Sequence, residues 1–197
     1  MKSPPLDTSA ELASVVAEYQ AHANMSHLLE RLEALAHAAT PDALVVAAEP
    51  YLDMPEVAGP IYEKIVAEQP GNARALVILA NAYWLSGRGP DVVGDLATRA
   101  MAADPANRGA WHLWALAESD PRQRTTRWQQ VVARFPDDQL AQANLADNAA
   151  SLAGAESDPS ALVLAISTYE SLLERAEHPA QRDALETALL TLRAWKL

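Results

Sequence analysis

Apolar residues recur along this chain at three- and four-residue steps, and prolines punctuate the runs. Leu28, Leu29, Leu32 and Leu35 form one such stripe. That spacing puts side chains on one face of a 3.6-residue turn and predicts a helix over 25–39. A helix over 10–21, capped by Ser9, is expected before it. Thr40-Pro41 reads as a start, with a capping hydroxyl followed by a proline where no intrahelical N–H is needed. The same reasoning predicts helices over 41–49, 55–69, 73–86, 91–103, 108–119, 121–134, 138–152, 159–176 and 180–195. Pro60 falls early in the fourth and predicts a kink or a later start there. Asp120 is the expected cap before Pro121, with Gln123 in the capping-box position.

Of the 13 prolines, six (41, 55, 90, 121, 159 and 179) sit at these starts, and three more (70, 105 and 136) sit just past helix ends. That distribution argues against strands, and no period-2 run of β-branched residues appears. Val45-Val46 and Val92-Val93 are short and flanked by helix formers. The segments Glu68-Gln69-Pro70-Gly71-Asn72, Ala103-Asp104-Pro105-Ala106-Asn107 and Arg134-Phe135-Pro136-Asp137-Asp138 repeat one punctuation between helical stretches. Their prolines are 35 and 31 residues apart. A period near 34 predicts stacked helix-turn-helix repeats.

Composition sharpens that picture. Apolar residues make up 50% of the chain but aromatics only 6%, so alanine supplies much of the filling and close helix packing is favoured over a sheet core. The net charge of -11 repels a nucleic-acid backbone and favours a basic protein or peptide surface. With no cysteine, disulfides, thiolate chemistry and cysteine metal sites are excluded. No long uncharged apolar run predicts a transmembrane segment. Met1 to Thr8 lacks the apolar core of a secretory signal. The expected location is the cytoplasm, or the periplasm if a targeting segment was removed.

Leu76, Leu79, Ala80 and Tyr83, then Gly87, then Val93, Ala97, Ala100 and Pro105 follow the order of a tetratricopeptide repeat (TPR). The chain resembles that family, in degenerate form, over about 41–175. The second repeat offers Trp111, Trp114, Ala115 and Glu118, then Arg124, Trp128 and Val131 before Pro136. Its turn is about three residues short. The third offers Gln142, Leu145, Ala146 and Ala149. Ala58, Tyr62 and Ile65 before Pro70 look like the second helix of an upstream repeat. The resemblance implies an all-α fold, an alpha-alpha superhelix of stacked antiparallel helix pairs. The expected layout is a flexible end at 1–8 and a single helical domain over 9–197. That domain comprises a helical region at 9–40, repeats at 41–175 and a capping helix at 180–195.

In the resembled fold the first helices of the repeats line a concave groove. Carried to this chain, the partner-binding candidates are Arg74, Val77, Ile78, Asn81 and Trp84, then His112, Leu113 and Leu116, then Asn144 and Asp147. An amide both donates and accepts, which suits Asn81 and Asn144 to a peptide backbone. Trp84 supplies a flat apolar anchor. Arg74, Asn81 and Asn144 are only fragments of a carboxylate clamp, because Gly109 and Leu113 hold the middle positions. The apolar members instead fit an amphipathic helix or an extended apolar segment. Trp111, Trp114 and Trp128 are expected to pack the middle repeat.

Catalytic signatures are missing. The histidines at 22, 27, 37, 112 and 178 form no HExxH motif, and the glycines spell neither a dinucleotide nor a phosphate loop. No serine has a nucleophile-elbow context. The expectation is a non-catalytic adaptor or assembly factor with no cofactor and no metal, binding a protein or peptide. A second reading is a self-associating subunit, dimeric through terminal helices carrying Leu185, Leu189, Leu190, Leu192 and Trp195. A third is an accessory module in bacterial envelope or cytochrome assembly, on the resemblance alone.

Overall fold

A computed structural model of the protein describes residues 7–196. Among them are eleven α-helices, one short 3-10 turn at Glu49–Tyr51 and no strand. The helices are α1 (Thr8–His22), α2 (Met25–Ala38), α3 (Pro41–Ala48), α4 (Pro55–Glu68), α5 (Ala73–Leu85), α6 (Pro90–Ala103), α7 (Arg108–Leu116), α8 (Pro121–Arg134), α9 (Gln139–Glu156), α10 (Pro159–Arg175) and α11 (Pro179–Arg193). All six prolines expected at starts occupy the first position of a helix. Pro70, Pro105 and Pro136 each lie two residues beyond a helix end.

Side-chain caps set most of the starts. Asn24, Thr40, Asn72, Asp120, Asp138 and Asp158 each accept a backbone N–H from the first turn that follows. Each bond satisfies a donor that the helix itself leaves open. At α1 the cap is Asp7, whose carboxylate accepts from Ala10 N–H at 3.1 Å. That corrects the expected Ser9 cap, and Thr8 is already helical. The rest of the expected flexible end, residues 1–6, lies outside the described residues. Gln123 does not close the expected capping box. The Asp120 N–H instead donates to Glu118 Oε1 at 3.0 Å.

Two helix lengths also differ from expectation. α7 ends at Leu116, three residues early, and Glu118 turns off to meet Arg127 at 2.6 Å. α9 continues to Glu156, where Ser157 closes it in a left-handed conformation. Pro60 leaves α4 unbroken. Its ring removes one bond, to the Glu56 carbonyl in the first turn. The buried stripe of Val57, Ala58, Ile61, Tyr62 and Ile65 holds the remainder.

The helices fall into two compact bodies, one ending at Leu113 and one starting at Trp114. In the first, α1 packs on α2 and α3, α2 on α4, α3 on α4, α4 on α5 and α5 on α6. The α1–α2 hairpin is therefore stacked on α3–α4 as a repeat in its own right. Its residues say so too. Leu12, Val15, Val16 and Tyr19 recur 32 residues later as Leu44, Ala47, Ala48 and Tyr51, and 32 later again as Leu76, Leu79, Ala80 and Tyr83. The first three members of every set are buried. Small residues at the third position of the later sets let adjacent helices approach. In the second body α8 packs on α9, α9 on α10 and α10 on α11. Trp128 is fully buried there with Val131, Leu145 and Ala146. A side chain of that size stabilises its body by roughly 3 kcal/mol through apolar burial alone.

Candidate interaction surface

Helix α5 divides cleanly by angle. Ala75, Leu76, Leu79, Ala80 and Ala82 face the core. Arg74, Val77, Ile78, Asn81 and Trp84 lie on the opposite side, since residues three and four apart share a face. Val77 and Ile78 are half-buried, Asn81 is exposed, and Trp84 keeps 40% of its surface in water. The Arg74 guanidinium pairs with the Glu49 carboxylate at 2.6 Å, which ties this face to the end of α3. The exposed Arg74 is thus already neutralised.

The same contact exposes residues that sequence reasoning missed. Val46 stands opposite the buried side of α3 with 69% exposure, in register with Ile78 of α5. Glu49 follows in register with Asn81. The signal was present: the 32-residue recurrence that aligns Leu44 with Leu76 also aligns Val46 with Ile78.

On the far side of α5, α7 comes close through Gly109. A methyl group at that position would sit 3.1 Å from Val77 Cγ1. His112 is half-buried, and Leu113 is 6% exposed, so Leu113 contributes to packing more than to any outer surface.

The remaining candidates belong to the second body. Leu116 and Asn144 are half-buried and Asp147 is exposed. Asn144 donates its amide to the Leu140 carbonyl of its own helix at 2.9 Å. Asp147 accepts the Tyr169 hydroxyl, linking α9 to α10. The ten residues are therefore distributed as seven in the first body and three in the second.

A tyrosine–carboxylate pair joins helices in both bodies. Tyr83 donates to Glu63 of α4 at 2.6 Å, and the Arg88 guanidinium lies 4.2 Å from its ring centre. Burial, then the bond to Glu63, pushes the Tyr83 hydroxyl up to about 12. Burial and Asp147 push Tyr169 in the same direction. These hydroxyls are held protonated as donors, which is a structural task. In the middle repeat Arg127 lies over the Trp114 ring at 4.6 Å and donates to the Trp114 carbonyl at 2.8 Å. Among the described residues no three His, Asp or Glu side chains converge to hold a metal ion. No helix among them is long and apolar enough to cross a membrane.

Three solved structures place the fold. MamA matches at a TM-score of 0.61 with 15% identity, over 82% of this chain and 96% of its own. TTC0263, a thermophilic TPR protein of Thermus thermophilus, matches at 0.56 with 19% identity, over 93% and 99%. The Pseudomonas aeruginosa pilF structure matches at 0.62 with 16% identity, over 95% and 84%. No family model and no curated protein matches the chain. At such identities the likeness is one of fold: stacked antiparallel helix pairs of degenerate TPR type.

Proposed function

We propose that this chain is a non-catalytic protein-interaction module that receives a helix or apolar peptide segment against the outer face of α5. The observation that supports this most is the face itself. Val77, Ile78 and Trp84 present apolar surface around the exposed Asn81 amide, opposite a fully packed stripe. Val46 extends that surface onto α3. A tryptophan held on a rigid helix is the kind of group that concentrates binding energy. The Arg74 cation beside it is already matched to the Glu49 carboxylate, so it does not call for an acidic ligand. The net charge of -11 favours a protein partner with basic flanks over nucleic acid.

The test is a comparison of the wild-type chain with an Asn81→Ala/Trp84→Ala variant, each immobilised and exposed to the proteins of its source cell. Bound proteins are identified by mass spectrometry. The expected result is a partner retained by wild type and lost by the variant, with helicity unchanged by circular dichroism. Identical retention by both chains would overturn the assignment of this face.

A further inference from the structure

Helices α9, α10 and α11 of the second body leave an open cleft of about 290 Å³, with Ala150, Ala188 and Leu192 in its floor. Trp195 closes one end. Its ring rests on Gly154, where a Cβ would come 3.2 Å from Cη2 of the indole, so a residue with no side chain is what lets the ring settle there. Trp195 still keeps 38% of its surface in water. Tyr169 lines the opposite end and donates its hydroxyl to Asp147. Asp147, Ser151 and Gly154 follow one another at four- and three-residue steps, so they share one face of α9. Seven residues of helix span about 10 Å, which sets the carboxylate and the indole at the two ends of the cleft.

The charge at the Asp147 end is uncompensated. Nearby carboxylates are matched: Glu170 pairs with Arg193, and Glu156 and Asp158 share Arg122. Asp147 is exposed, and among the described residues its one bond comes from a neutral hydroxyl. Tyr169 therefore orients the carboxylate without neutralising it, and leaves the second oxygen open. The Ser151 hydroxyl, one turn on, is exposed beside it. A group that fits this cleft is apolar along its length and cationic at its tip. Lysine and arginine side chains have that form, since their stems cover apolar surface while the charged head seeks an acceptor. An anionic or uncharged group would leave Asp147 unmatched.

We infer that this cleft receives a lysine or arginine side chain of a partner protein, with the aliphatic stem on the Trp195 ring and the cleft floor and the charged head donating to Asp147. The indole face adds attraction for a cation that passes over it. The net charge of -11 draws basic partners toward the whole chain, and the cleft gives one of their side chains a defined seat. The site uses the second body alone and stands whether or not the α5 face binds.

The experiment is a nuclear magnetic resonance titration of the full chain labelled with nitrogen-15, following the Trp195 indole N–H, which is the signal missing from Trp195→Phe. The probes are N-acetyl-lysine amide and N-acetyl-arginine amide, their uncharged norleucine and citrulline counterparts, and spermidine as a free polyamine. The two cationic amides are expected to move the Trp195 signal saturably, and the uncharged pair to bind at least about threefold more weakly, the scale of one exposed ion pair. Asp147→Asn keeps an acceptor for Tyr169 but removes the charge, and is expected to weaken the cationic amides to the level of the uncharged ones. Ser151→Lys changes an exposed position and places a cation four residues after Asp147, where it competes from within the helix. It is expected to abolish the shift with helicity unchanged by circular dichroism. A Trp195 signal that no probe moves overturns the inference, as does equal binding of charged and uncharged amides. So does binding that survives both variants. A response to spermidine alone overturns the protein source and assigns the cleft to a free polyamine.

Discussion

Ala23 and Ser157 both sit at φ 51°, where side chains other than glycine are strained. Each closes a helix, α1 and α9 respectively, with its N–H returned to a carbonyl of the last turn. A left-handed residue with a Cβ costs about 1–2 kcal/mol. Ala23→Gly relieves that strain while loosening the unfolded chain, so a net gain of about 1 kcal/mol is expected. That corresponds to a rise in Tm of roughly 2–4 °C in thermal denaturation. An unchanged or lower Tm would contradict this account of Ala23. Trp128 carries the opposite prediction. Fully buried in the second body, it is expected to lose about 3–5 kcal/mol of stability as Trp128→Ala, measured by urea unfolding. A loss under about 1 kcal/mol would show that the surrounding helices collapse onto the space.

Between helices, the pairs that titrate are those joining neighbours. Tyr83 is pushed up to about 12 by burial and by Glu63. Its folded value lies above the unfolded one, so its contribution is complete below the ordinary pKa of 10.0 and is lost as pH rises through about 12. Glu63→Gln removes a negative charge and a charged acceptor, so the hydroxyl is expected to ionise at lower pH in a near-ultraviolet absorbance titration. No movement would assign the whole effect to burial. Asp158 reverses the sign. Its carboxyl is held below the ordinary 3.8 by the Ala161 N–H first and by Arg122 next. Its stabilisation is present above 3.8 and disappears as pH falls through the lower folded value. Asp158→Asn is expected to flatten the acid limb of the stability profile, and an unaltered limb would count against the cap.

Across the whole molecule, a net charge of -11 is a source of self-repulsion. Raising ionic strength from low to physiological shortens the Debye length from about 30 to about 8 Å and is expected to raise Tm, because the exposed ion pairs it weakens contribute little. A falling Tm would give those pairs more weight than assigned. The helices themselves were legible in the sequence, because proline at a first turn and Asn, Asp or Thr before it are local chemical instructions that need no neighbour. The repeat at 73–105 was legible for the same reason, and the fold class followed from it. The upstream repeats were less so, since Ala47 and Ala48 read as filler until Leu12, Leu44 and Leu76 are seen packing at equal intervals. Only tertiary contacts decided that Glu49 neutralises Arg74, that Asp147 serves Tyr169, and that Leu113 goes inside. Backbone instructions act within one turn of chain. Which side chain meets which depends on helices brought together from distant positions, and no local pattern encodes that distance.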